Sequence, residues 1–284
     1  MLAASGQVGY INEPFNLATS PGTVRLPVEH WYTYVASENE ERVLPLLLDL
    51  LHFDYSLAKE LGRCRTRTDV HHTLKMWLSF VRSRGRRPLV KEPHAVFSAE
   101  WFLNRLGSEV VITVRHPAAV VSSWKRLDWS FDFTNLLKQP ALMRDLLEPF
   151  HAEMEAALSP GKDLVDRVAL LWRVIYSVVD HFRQRSLHVH IVRQEDLSRD
   201  PLREYASLYK ALGLSFTGRA EAAVAASSAS DNPTETRVDS PHETRIDSRA
   251  NLENWRKRLT AEEVGRIRRA TEITASTYYS EAEW

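Results

Sequence analysis

The chain has 284 residues, 44% of them hydrophobic and 26% charged, enough apolar chain to build one large globular domain and too much for a disordered one. Lys and Arg number 37, equal to Asp and Glu, so the formal charge is zero, which argues against a broad basic face for nucleic acid or an anionic membrane. Any anion site must therefore be local.

The lone cysteine, Cys64, cannot form an internal disulfide, and the first basic residue is Arg25. No stretch approaches the roughly 20 apolar residues of a spanning helix. These features predict a soluble, cytoplasmic protein with neither signal peptide nor membrane anchor.

In chain order, "GQVGYIN" (6–12) reads as a strand, and "NEERVLPLLLDLLHFDYSLAKEL" (39–61) and "TDVHHTLKMWLSFVRSR" (68–84) read as helical. "RPLVKEP" (87–93), the helical "SAEWFLNRL" (98–106) and "SEVVITVR" (108–115) follow, then a helix after Pro117. This alternation predicts a parallel sheet with helices on both faces. "VVITV" is apolar throughout, the pattern of a central strand buried on both sides, which places it mid-sheet.

From about Phe131 to Arg185 the pattern is nearly all helical, and "ALLWRVIYSVV" has the composition of a buried helix. A strand returns in "LHVHIVRQEDL" (187–197), and a helix starts near Pro201. An Ala/Ser-rich segment and a polar stretch come next, the latter holding the near-repeat "ETRVDS" (235–240) and "ETRIDS" (243–248); two six-residue copies do not make a solenoid. No linker divides the chain, so residues 1–284 read as a single domain.

The stretch "VITVRHPAAVVSSWKRLDW" (111–129) carries the most chemistry. Arg115 ends a strand, and Pro117 has the fixed φ and missing N–H that suit a first helical turn. A strand tip that feeds a helix start is where anions settle in α/β folds. The planar guanidinium fork of Arg115 matches a phosphate, and Ser123 adds a hydroxyl. The plain alternative is an ordinary strand-to-helix corner with Arg115 paired to a carboxylate.

"VVITVRHPAAVVSSWKRLDW" resembles the 3′-phosphate-binding segment of sulfotransferases that use 3′-phosphoadenosine 5′-phosphosulfate (PAPS), where an arginine at a strand end precedes a serine by eight residues. "YINEPFN" (10–16), "LVKEPHAVFSAEWF" (89–102), "FDFTNLLKQPALMRDLL" (131–147), "VRQEDLSRDPL" (192–202) and "DSRANLENWRKRLT" (247–260) are similar to segments of the carbohydrate-type and bacterial branches, in the family's order. The resemblance implies a P-loop-like three-layer fold, a central parallel sheet flanked by helices. It also implies PAPS as co-substrate, no metal, and sulfuryl transfer to a hydroxyl or amine of a carbohydrate or small-molecule acceptor.

It further implies cofactor contacts from Arg115, Ser123 and Arg249, the last placed by aligning Trp255 with the family's tryptophan; Arg245 is the substitute. For the base that takes the acceptor proton, Glu13 comes first and His94 second. Lys91 either faces the same cleft or is solvated. Gln194 stands where many members carry a tyrosine against the adenine.

His188 and His190 share a strand face, and His71 and His72 point apart on a helix; neither pair makes a metal argument. A nucleoside or sugar kinase is disfavoured because it too needs a phosphate loop.

The family's opening strand and "SGTT"-type loop, which cradle the 5′-phosphosulfate, have no counterpart, and "MLAAS" reads as the second half of the helix that follows that loop. The expectation is that in-frame sequence upstream of Met1 supplies an apolar strand and a Gly/Ser/Thr loop. The competing reading is an inactive remnant that binds a 3′-phosphonucleotide or a partner protein.

Overall fold

The computed structural model describes residues 1–18, 21–238 and 245–284. A 3₁₀ turn, Leu2–Ser5, closes on Gly6, whose left-handed conformation (φ 78°) leads straight into β1, Val8–Asn12. "MLAAS" thus forms a short 3₁₀ turn that Gly6 terminates. Helices α1 (Leu44–Leu51), α2 (Leu57–Leu61) and α3 (Arg67–Ser83) follow. Thr66 and Asp69 form a reciprocal capping box at the start of α3. Then come β2 (Arg87–Lys91), α4 (Ala99–Leu106), β3 (Val110–Val114) and α5 (Pro117–Leu127), the last with Pro117 in its first turn.

Short helical turns occupy Thr134–Leu137, Pro140–Leu142 and His151–Ala156 before the long α6, Leu164–Gln184, whose first turn is capped by Asp163. Strand β4 (Val189–Arg193) runs directly into α7 (Gln194–Arg199) and α8 (Pro201–Ala211). The Ala/Ser-rich segment is α9, Gly218–Ser228. The C-terminal part holds α10 (Ser248–Asn251), α11 (Asn254–Arg258) and α12 (Ala261–Ala275).

The α/β class is therefore observed. Among the described residues the strands form two separate parallel pairs, β1 with β2 (Val8 beside Arg87, Asn12 beside Lys91) and β3 with β4 (Val110 beside Val189, Val114 beside Arg193). The mid-sheet expectation for "VVITV" needs correcting. Among the described residues β3 has a strand neighbour on one edge, and only one of its faces is covered there: Ile112 and Val114 are buried while Thr113 between them is exposed.

Each pair has its own core. Beneath β1 and β2 lie Ile11, Phe15, Leu47, Leu50, Phe53, Phe80 and Trp101. Ile112 of β3 packs with Phe97, Phe133, Leu171, Val174 and Phe182. Gly9 admits no larger residue without movement, because a Cβ there would collide with the Phe53 ring and the Ser83 side chain. α6 sits centrally, packed on α5 and α12. No helix among the described residues is long and apolar enough to cross a membrane.

Candidate functional site

Two clusters of polar side chains gather where the strands end. At the tip of β3, two residues one turn apart on α6 hold the backbone: Trp172 Nε1 donates to the Arg115 carbonyl (2.8 Å) and Tyr176 Oη to the Thr113 carbonyl (3.1 Å). The end of β3 is thus fastened by helix side chains, which fixes where the Arg115 side chain departs.

The guanidinium of Arg115 has no carboxylate within ion-pair distance and no hydrogen-bond acceptor among the described residues, although it is largely enclosed. Burial, and then the nearby Arg258, pull its pKa down against the opposing pull of Glu195, Tyr176 and Tyr279. Because arginine keeps its proton in proteins, the result is an enclosed cation short of anionic contacts.

Glu195, at the start of α7 beside the strand tips, organises the surroundings. It is 7% exposed. One carboxylate oxygen accepts the His116 backbone N–H at 2.9 Å and the other accepts Tyr279 Oη at 3.0 Å. Burial raises the Tyr279 phenol far above its ordinary range, with Glu195 adding to the effect, so it stays a proton donor.

His116 lies in an aromatic box: stacked on Trp255 (centroids 5.2 Å, 15° between planes) and edge-on to Tyr279 and Trp284. Neither ring nitrogen has a hydrogen-bond partner among the described residues, and burial takes its pKa down to about 4.

The C-terminal residues strap this box. Arg256 donates to the Trp284 carbonyl (2.8 Å), and the Glu283 carboxylate joins Arg193, the last residue of β4. Burial opposes the charge on Glu283, but the Ser280 N–H and Arg193 together outweigh it and hold the pKa at about 2.

Both groups titrate below their unfolded values, 6.5 for the histidine and 4.5 for the carboxylate, so each contributes stability above its unfolded value that is lost as pH falls. We expect stability to decline first between pH 6.5 and about 4, by roughly 3 kcal/mol, because His116 takes up a proton in the unfolded chain but not in the folded one, and again between 4.5 and about 2, where Glu283 is protonated only in the unfolded chain. Urea midpoints measured from pH 7 to pH 3.5 check this. A flat profile from 6.5 to 4 contradicts it.

The second cluster lies at the ends of β1 and β2. Glu13, just past β1, has a left-handed backbone (φ 45°), and both its oxygens are engaged, one by Lys91 and the other by Asn16 at 2.7 Å. Glu92 is almost fully enclosed. It accepts the Phe15 N–H (2.7 Å) and the His94 N–H (3.0 Å), and the His94 Nδ1 lies 3.2 Å from the same oxygen. The His94 ring leans on Trp31 (4.6 Å) and Tyr32 (5.6 Å), while Nε2 has no hydrogen bond among the described residues. A carboxylate that fixes one ring nitrogen leaves the other oriented for proton transfer.

Two tyrosines border the clusters, Tyr32 edge-on to His94 and Tyr176 on the end of β3. Burial pushes Tyr32 up to about 12 and Tyr176 higher still, so both remain neutral donors.

The other residues singled out in the sequence sit as follows. Ser123 is half-buried on α5 with no side-chain hydrogen-bond partner among the described residues, whereas its neighbour Ser122 accepts from Arg258 Nη1 at 3.0 Å. Arg249 is exposed and donates to the Arg199 carbonyl (2.9 Å) at the far end of α7, in a surface groove shared with Asp200 and Asp247. Arg245 is exposed, and Gln194 opens α7. His190 Nε2 lies 3.1 Å from Glu109. Residues 239–244 of the near-repeat lie outside the described residues.

Sequence reasoning passed over Glu92, Glu195 and Arg258. Glu92 had a local signal, two residues before His94; the other two reach their partners only through the fold. No protein-family model, curated protein or solved structure matches this chain.

Proposed function

We propose that the chain is a PAPS-dependent sulfotransferase of P-loop-like architecture that holds the 3′-phosphate of the nucleotide through Arg115 and Ser123 and passes the sulfuryl group to a hydroxyl or amine of a carbohydrate or small-molecule acceptor. The single observation that carries this reading is the enclosed Arg115 guanidinium at a parallel strand tip with no carboxylate on it. A guanidinium kept for the corner's own stability would be paired within the protein.

In the transfer, the acceptor oxygen attacks sulfur, the S–O bond to the 5′-phosphate breaks, and adenosine 3′,5′-bisphosphate leaves with the bond's electron pair. The acceptor proton goes to a base. Of the two candidates the geometry favours His94, whose Nδ1 is oriented by Glu92 and whose Nε2 is free, over Glu13, whose oxygens are both occupied.

His94→Gln is expected to lower the rate of [³⁵S]sulfuryl transfer by on the order of 100-fold while leaving affinity for adenosine 3′,5′-bisphosphate within about twofold, with Glu13→Gln having the smaller effect. The reverse order of effects passes the role to Glu13. Bisphosphate binding with no transfer by the parent chain to any acceptor supports the second reading, a nucleotide-binding protein without transferase activity. That reading is favoured by the locked Glu13–Lys91 pair and by the division of the strands into two pairs.

A further inference from the structure

Arg258 is better placed for an anion at Arg115 than Arg249 is, and it is held by a carboxylate of the chain itself. Its helix, α11, is seated at the start of α5: Trp255 stacks on His116, the residue after Arg115, and Arg258 Nη1 donates to Ser122 Oγ on the inner face of α5. The other arm of the fork, Nη2, grips Glu235.

Glu235 belongs to a short segment clamped from both sides. Arg126 donates to the Thr236 carbonyl (2.8 Å) and hydroxyl (2.9 Å) and lies 4.0 Å from the Glu235 carboxylate, while Asn254 Nδ2 donates to the Thr234 carbonyl (2.9 Å). Arg258 and Arg126 have no other carboxylate within ion-pair distance among the described residues. Arg126 and Arg258 therefore share the single carboxylate of Glu235, which leaves one positive charge uncompensated among these three side chains. A phosphate dianion taking over the place of Glu235 would cancel it.

We propose that Arg258 is the second cation of the anion site at Arg115 and that Glu235 is a built-in competitor, so that a phosphomonoester bound at Arg115 draws Arg258 away from Glu235. The inference deepens the nucleotide-binding reading above and rests on it for the identity of the ligand, though not for the competition. The pair is partly exposed, 24% for Arg258 and 34% for Glu235, so the competition is one that a bound ligand can win.

The test is calorimetric titration of the full chain and of Glu235→Gln, Arg258→Ala and the double variant, with adenosine 3′,5′-bisphosphate and separately with inorganic phosphate. Glu253→Gln serves as control, since it removes the same charge from a solvent-exposed pair with Arg256. Glu235→Gln is expected to bind both probes about two- to fivefold more tightly, and Arg258→Ala to weaken both about tenfold. The gain from Glu235→Gln should vanish in the Arg258→Ala background.

Bisphosphate binding that Glu235→Gln leaves unchanged, or tightens no more than Glu253→Gln does, overturns the inference and spares the nucleotide reading. No bisphosphate binding, with inorganic phosphate still tightened by Glu235→Gln and lost in Arg258→Ala, does the opposite. A tightening that survives Arg258→Ala also overturns the inference. Binding of neither probe by any form overturns both. Thermal melts of each variant keep a folding defect from passing for a loss of affinity.

Discussion

Replacing Glu195 by Ala is expected to destabilise the chain by about 3 to 5 kcal/mol, the largest effect of any single polar substitution near the site. Three groups depend on that buried carboxylate. The His116 N–H and the Tyr279 hydroxyl each lose their acceptor, and neither is placed to find water. Arg115 loses the nearest negative charge, leaving an enclosed cation with nothing to offset it. Glu195→Gln keeps one acceptor and the side-chain volume, so it should cost less, about 1 to 3 kcal/mol. Urea denaturation followed by circular dichroism measures both. A shift in unfolding free energy within about 0.5 kcal/mol for Glu195→Ala would mean that the carboxylate does not organise the strand tips.

The second large effect falls on binding. Arg115→Ala should weaken adenosine 3′,5′-bisphosphate by tenfold or more, since a charge-assisted phosphate contact is worth about 1.5 to 3 kcal/mol. The same substitution should leave the fold intact. Among the described residues the Arg115 side chain makes no hydrogen bond or ion pair whose partner would be orphaned, and the backbone contact at this residue, Trp172 to its carbonyl, does not depend on the side chain. Glu195 and Arg115 are thus predicted to separate, one governing stability and the other affinity, although they lie side by side.

That separation also marks what local sequence discloses. The corner itself was legible: an apolar run, an arginine and a proline predict a strand, a tip and a helix start, and β3 and α5 fall there because the proline φ and the apolar β-branched residues leave few alternatives. α6 was equally legible, the apolar run "ALLWRVIYSVV" falling within Leu164–Gln184.

The number of neighbours that β3 has was not legible. A run of Val and Ile is compatible with two covered faces or with one, and the exposure of Thr113 is decided by which elements arrive from elsewhere in the chain. The partners of the site were hidden for a related reason. Glu195 meets Tyr279 across 84 residues, and Arg258 meets Ser122 across 136, separations over which periodicity carries no information. The C-terminal "YYSEAEW" shows no motif, yet its Tyr279, Glu283 and Trp284 close the box around His116.

The central claim is that Arg115 is kept for a 3′-phosphate. Titration of the chain with adenosine 3′,5′-bisphosphate and with adenosine 5′-phosphate, which differ only in that group, tests it most directly. The account predicts that the bisphosphate binds at least tenfold more tightly and that this preference disappears in Arg115→Ala. Equal affinity for the two nucleotides in the parent chain, or a preference that survives the loss of Arg115, would contradict it.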